Sequence, residues 1–346
     1  IMRKFTKLFL ILTVILMTVT GTLFAGGGGE KGGDYGWKPN KPIHIIVPWG
    51  AGGATDLLTR ITATEMEKAL GVRVIVDNVP GASGATGTKQ CMDAPKDGYT
   101  WTAGAADDLA LYKVNGLLDT SFKNDWEVFL TAGNIGVVGV SADSSYRTFD
   151  QLLADFKAKP GQISVSTAGQ VSAGTTYIEL IKKYTGIDYK LVTYEGGNPA
   201  VTAVVSGEVI VTTQLAMEQL DMIRGGKIRP LAAIANNDIN LEGFGNVPSI
   251  KKFIPNFNIG LKSFGIFIPK GVPQEVITAV TRVWNEKIVT SADIKKFADE
   301  RGLVFAPSSG AAAQNAAFEF YQPVAWIYQD AGFAKVSPDT VGIPRP

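Results

Sequence analysis

From Pro42 onward, short apolar runs end in clusters of Gly, Pro, Ser or Asn, and most are followed by a stretch with helical spacing. The first run, Ile43 to Val47, breaks at Pro48, passes Gly50, Gly52 and Gly53, and reaches Asp56. A helix is predicted from about Leu57 to Leu70, with Leu58, Ile61, Thr62, Met66, Ala69 and Leu70 on one broad face and Glu65 interrupting it. Gly71 stops that helix. Val72 to Val76 is β-branched except at Arg73, as a parallel strand covered on both sides requires. A second small-residue turn, Asn78 to Gly84, leads into a helical stretch ending at Met92. Pro95-Lys96-Asp97-Gly98 then turns the chain into a strand from Tyr99 to Ala103. Strand, helix, strand, helix, strand predicts a parallel α/β sheet, whose ligands gather at the carboxyl ends of strands. The turns at 48–56, 78–84 and 104–108 would all lie there.

A second series follows an apolar strand from Gly136 to Ser141. Thr148 and Gln151 have the spacing of a capping box and open a helix through Lys157. Strand Ile163 to Ser166, the turn Thr167 to Gly174 and a helix from Thr175 to Tyr184 repeat the unit. Strand Tyr189 to Val192, the turn Thr193 to Asn198, a helix opened by Pro199 and strand Val209 to Thr212 repeat it again. Further on come strands Ile228 to Ala235 and Ser263 to Ile268, a helix from Pro273 to Ile288 with Val276, Val280, Val283 and Trp284 on one stripe, strand Leu303 to Phe305, and an Ala-rich helix from Ala311 to about Ala331.

Glycine-rich turns of this kind carry chemistry because the backbone can take φ > 0 and approach a ligand, leaving N–H groups aimed outward at a helix start. Such a place attracts a carboxylate or phosphate without Arg or Lys in contact. The same glycines would equally serve a tight connection with nothing bound. The device recurs in the second series as STAGQVSAGT, residues 166–175, so two opposed anion cradles need explaining.

The 346 residues exceed one ordinary core and imply two domains. Without Arg3, Lys4 and Lys7 the chain carries 30 basic against 32 acidic side chains, a balance that excludes wholesale nucleic-acid binding. Cys91 and His44 are each the only residue of their type, which rules out an internal disulfide and a histidine-pair metal site. Cys91 reads as a buried thiol and His44 as a packed strand residue. Residues 1–25, basic first, then apolar from Leu8 to Val19, then small around Ala25, resemble a secretory signal; an uncleaved anchor would equally place the rest of the chain outside the cytoplasm. Residues 26–41, rich in Gly and Lys, are expected to be a flexible linker.

Taken together, PWGAGGATD, VDNVPGASGATG, PKDGYT, VTYEGGNPA, SGEV and FGIFIPKGVP resemble the substrate-binding proteins of tripartite tricarboxylate transporters, the TctC or Bug family, from about Pro42 to the C-terminus. The resemblance implies an α/β fold of the type II periplasmic binding protein kind, with two lobes around a ligand cleft joined by two crossing strands near Gly136 to Val140 and Ser263 to Ile268. Lobe 1 would be 42–138 plus 264–346, and lobe 2 139–263. It also implies a monomeric, periplasmic or otherwise extracytoplasmic receptor, without catalytic activity, cofactor or metal, that delivers a small organic acid of the di- or tricarboxylate class to membrane permease subunits. The ligand-binding residues carried over are Trp49, Gly52, Gly53, Ala54, Thr55 and Asp56 on one side and Thr167, Ala168, Gly169 and Ser172 opposite, flanked by Thr175 and Tyr194. Asp56 suits a helix cap better than an anion contact. Trp49 is either a wall over the ligand's carbon skeleton or a core aromatic. Where the family often has Gly-x-Gly-Ser-x-x-His, this chain has Gly169 to Thr175, with a hydroxyl in place of the histidine; Ile210 replaces a frequent aspartate, and Trp49 a usual phenylalanine.

Two enzyme readings compete. Gly50-x-Gly52 and Asp77, about where a ribose-binding acid falls, suggest an exported, Rossmann-like nucleotide-dependent enzyme, but Thr55 stands at the third glycine position. An exported hydrolase lacks both a Gly-x-Ser-x-Gly elbow and a histidine outside the first strand.

Overall fold

A computed structural model describes residues 33–346. The signal-like segment expected over 1–25 and the start of the expected linker lie outside the described residues. The rest of that linker is not a loose tether. Tyr35 is buried, Gly33 N–H donates to the Ala69 carbonyl at 2.9 Å, and Trp37 meets Tyr99 edge-on with ring centroids 5.4 Å apart. Two aromatic rings give this stretch apolar area to bury, which its mean composition conceals.

Two sheets carry the fold. In the first, β1 (Ile43–Val47) lies between β2 (Val74–Asn78) and β3 (Thr100–Ala105), all parallel, with Ile45 opposite Val76 and Trp101. The helix between β1 and β2, α1 (Ala54–Leu70), ends at Gly71 in the left-handed region, φ 67°, as an αL cap. Beyond β3 the sheet is not parallel. β4 (Trp126–Asn134) and β12 (Lys262–Pro269) pair antiparallel from Lys262↔Asn134 to Pro269↔Trp126, and β13 (Val304–Ser309) closes the edge against β4. The direction follows from the path of the chain: β4 leaves for the second sheet and β12 returns from it.

The second sheet has the order β7-β6-β8-β5-β9. It is built from β5 (Gly136–Ser141), β6 (Ser164–Thr167), β7 (Lys190–Thr193), β8 (Val211–Thr212) and β9 (Ile228–Ile234). β6 is parallel to β7 and β8, while β5 is antiparallel to β8 and β9. The chain thus passes between sheets at Ile135. Gly136 to Val140 lies wholly in the second sheet and Ser263 to Ile268 wholly in the first.

Three further strand-to-helix turns in the second sheet matter for the site. They lead from β6 into α5 (Ala173–Thr185), from β7 into α6 (Gly197–Val205) and from β8 into α7 (Ala216–Arg224); α4 (Phe149–Ala158) is the helix with the Thr148–Gln151 capping box. In the first lobe α2 (Ala85–Asp93) follows β2, and α3 (Ala106–Leu111) leaves β3 where only a turn is expected from sequence. The core of the first lobe is mainly aliphatic, with Trp101, Phe129 and Trp284 buried in it. Trp284 packs on Phe129 with centroids 5.3 Å apart and donates from Nε1 to the Leu130 carbonyl at 3.0 Å.

Gly265 marks the closest approach of β12 to β4, at a register shift next to Phe264. A β-carbon there would fall 2.0 Å from the Phe129 carbonyl oxygen, so backbone would have to move. Gly265→Val is expected to destabilise the fold by about 2 kcal/mol or more, read as a lower urea midpoint at unchanged m value.

Candidate functional site

The carboxyl ends of β1, β3, β6, β7 and β8 face one another across the gap between lobes. Between them lies a cavity of about 160 Å³, close to the roughly 150 Å³ that holds a benzene-sized molecule. Trp49, Gly50, Ala51, Gly53, Ala54 and Thr55 line it from the first turn. Ala168, Ser172 and Ala173 face it from the β6 turn, and Glu195, Gly196, Gly197, Asn198 and Pro199 from the β7 turn. The starts of α1 and α6 carry no side-chain cap, since Gly53 and Gly196 precede them. Their first N–H groups and positive dipole ends therefore turn toward the cavity. Asn198 Nδ2 donates to the Gly52 carbonyl at 3.1 Å and ties the two lobes together at the rim.

Of the residues expected from sequence, Trp49, Gly53, Ala54, Thr55, Ala168 and Ser172 line the cavity. The others stand behind it. Asp56 accepts from Gly52 N–H at 2.8 Å, from Arg60 Nε at 3.0 Å and from Asn78 Nδ2 at 3.0 Å, clamping the glycine turn from inside its own lobe. Burial works to raise its pKa, but the bonds from Arg60, Gly52 and Asn78 prevail and hold the carboxyl below its usual range. Thr175 Oγ1 donates to the Gly169 carbonyl at 2.7 Å, and Ser172 Oγ to the same carbonyl at 2.9 Å. Thr167 Oγ1 lies 3.1 Å from it as well, so three hydroxyls fix the turn in which Gly169 has φ +141°. Tyr194 is turned away, with its hydroxyl on Glu208 at 2.8 Å. Asp77, the acid of the nucleotide reading, binds His44 Nδ1 at 2.7 Å and does not line the cavity.

Six polar residues at the site are absent from the sequence expectation: Glu195 and Asn198, both exposed, and Asp108, Gln214, Glu218 and Lys262. Lys262 is 1% exposed and bonds Asp107 Oδ2, with Asp108 Oδ1 at 3.4 Å. Burial alone would lower its pKa; the two carboxylates overcome that and keep it charged. Asp108 also accepts from the Trp49 side chain, which fixes the indole as a wall of the cavity. Burial, with Asp107 adding to it against Lys262, pushes Asp108 up to about 7. Glu218 accepts from the backbone N–H of Leu215, the residue before α7, and from that of Ala54 on the other lobe. Desolvation still carries it to about 7. Turned to satisfy both neighbours, the Gln214 amide donates to Glu218 Oε2 at 3.0 Å and accepts from Ala168 N–H at 2.5 Å. Asp107-Asp108, adjacent acids inside an otherwise apolar stretch, are the one trace of this cluster in the sequence.

Two α/β lobes that set helix starts around a small cavity between them define a solute-binding protein. The chain belongs to the tripartite tricarboxylate transporter family of receptors, whose family model matches residues 58–322. It is similar to Protein BugT of Bordetella pertussis (strain Tohama I), 27% identical over 287 residues that cover 82% of this chain and 87% of that one. A UPF0065 protein from the tcbD-tcbE intergenic region of Pseudomonas sp. (strain P51) is 30% identical over 271 residues, 77% of this chain and 79% of its own. The solved structure of R. palustris Rpa4515 with adipate matches with a TM-score of 0.77 at 22% identity, covering 86% of this chain and 99% of that one, which speaks for the shared fold. Among the described residues no helix is long and apolar enough to cross a membrane, and no group of acidic, His or Cys side chains could hold a metal ion.

The buried acids give stability a pH dependence. A carboxyl whose folded pKa is raised stabilises below its unfolded value and loses that contribution as pH rises through the folded value. For Glu218 the window runs from the ordinary 4.5 to about 7. The melting temperature of ligand-free protein is expected to fall between about pH 5 and pH 8, and to fall less in Glu218→Gln. Equal slopes in the two proteins would show that Glu218 does not titrate in this window.

Proposed function

We propose that the chain is an extracytoplasmic receptor that captures a small organic carboxylate between its lobes and delivers it to the membrane permease subunits of a tripartite tricarboxylate-type transporter, without catalysis. The observation that carries this reading is the cavity between the lobes, onto which the helix starts at Gly53 and Gly196 open from opposite sides. Backbone amides in such a place are fixed donors, and each bond to an ionised carboxylate contributes about 1.5 to 3 kcal/mol net. Four of them would reach the roughly −8 kcal/mol of a micromolar complex before closure and ordering costs are subtracted. Trp49, Leu215 and Phe264 offer apolar wall to the carbon skeleton between the polar ends. A ligand that touches both lobes can do so only when they are closed, so closure would report occupancy to the permease. The di- or tricarboxylate class implied by the family resemblance is the starting set of ligands.

Gly53 is the position that tests the reading. It has an extended backbone, φ −75° and ψ 171°, which valine adopts without strain. A β-carbon there meets the Gly50 carbonyl at 3.3 Å and points toward the space beside Glu218. Gly53→Val is expected to keep a native circular dichroism spectrum and to lose at least tenfold in affinity, by calorimetry, for whichever organic acid a thermal-shift screen finds. Unchanged affinity would remove the first turn from the site.

A further inference from the structure

The amide cradle at the start of α1 is already filled, and by the protein itself. Glu218 reaches it from the second lobe and accepts the Ala54 N–H. Its carboxylate lies flat against the backbone of Gly197, where a β-carbon would fall 2.1 Å from it. The opposite wall is acidic too, since Asp108 faces the same space. Lys262 is the one cation among the lining residues, and Asp107, behind the wall, already holds it. Glu195 adds a third acid at the rim, where it is exposed. The cavity lining therefore has more negative than positive groups, although the helix starts around it favour an anion. An α,ω-dicarboxylate would set one of its ends against Glu218, with both groups out of water. An ammonium at that end would meet acceptors on two walls.

We propose that the ligand is an amino-substituted carboxylate, a zwitterion whose carboxylate takes the uncapped amides at the start of α6 while its ammonium faces Glu218 and Asp108, so that Glu218 sets the charge the receptor accepts. This deepens the receptor reading and rests on it. The start of α6, uncapped at Gly196, supplies N–H donors, and the carboxylates of Glu218, beside Gly197, and of Asp108 supply acceptors for an ammonium next to them.

The test is calorimetry on the full chain with matched probes: 4-aminobutyrate against succinate, L-norvaline against valerate, and L-glutamate against glutarate. At least one amino acid is expected to bind tenfold or more tightly than its partner, and Glu218→Gln to reduce that preference to threefold or less while the plain acid holds or gains affinity. Asp108→Asn, on the opposite wall, should narrow the same preference and serves if Glu218→Gln proves unstable. A plain acid or diacid binding more tightly than its amino partner would overturn the proposal. So would a preference unchanged in both variants, or diacid binding with uptake of one proton, measured from the buffer dependence of the heat, since Glu218 would then yield by protonation. If none of the six acids nor any other organic acid bound, the receptor reading itself would fail, a result distinct from binding with the opposite charge preference.

Discussion

A carboxylate held by backbone N–H groups of both lobes is a contact that, with the bond from Asn198 to Gly52, joins the two sides of the cleft. Glu218 makes it, bonding Leu215 on its own helix and Ala54 across the cleft. Two unit charges 5 Å apart interact by about 3 kcal/mol at an effective dielectric near 20, so a group of this kind governs what else fits beside it. Its position also explains the glycines around it. Gly197 lies against the carboxylate and leaves no room for a larger side chain without disturbing the contact, while Gly53 opens the helix that the carboxylate reaches.

The charge cluster behind it lies where the chain changes sheets. Lys262 begins β12 and pairs in register with Asn134, the last residue of β4, next to the passage at Ile135. A buried ammonium without partners would be very costly, and removing either partner of a buried pair leaves the other uncompensated. Asp107 and Asp108 meet that need from α3, on the other side of β12. One ion cluster therefore joins the helix after β3, the returning strand and, through Trp49 on Asp108, the first glycine turn. The site wall and the joint between the lobes are the same group of side chains.

Much of the frame was legible along the chain because it is written locally. The runs Ile43 to Val47 and Val72 to Val76, the second displaced by two residues to Val74–Asn78 in the structure, the stop at Gly71 and the capping box at Thr148 and Gln151 each depend on neighbours within a few residues. β4 was not legible, although Val128 to Ala132 is apolar, because it is buried between β12 and β13 and shows no alternation to mark its faces. The docking of Tyr35 and Trp37 was hidden in the same way, by a Gly- and Lys-rich stretch whose two rings matter only when a surface meets them.

The amino-acid order by itself determined that strands would run into glycine turns and that helix starts would follow, since φ > 0, capping and periodicity are properties of a short segment. It determined the anion-attracting character of those turns for the same reason. Only the tertiary structure decided which turns face each other, that Thr175 and Asp56 shape turns from behind, and that Glu218, more than 160 positions from Ala54 in sequence, fills the first cradle. Charge balance in an enclosed space is a sum over groups brought together from distant parts of the chain, and no local pattern contains that sum.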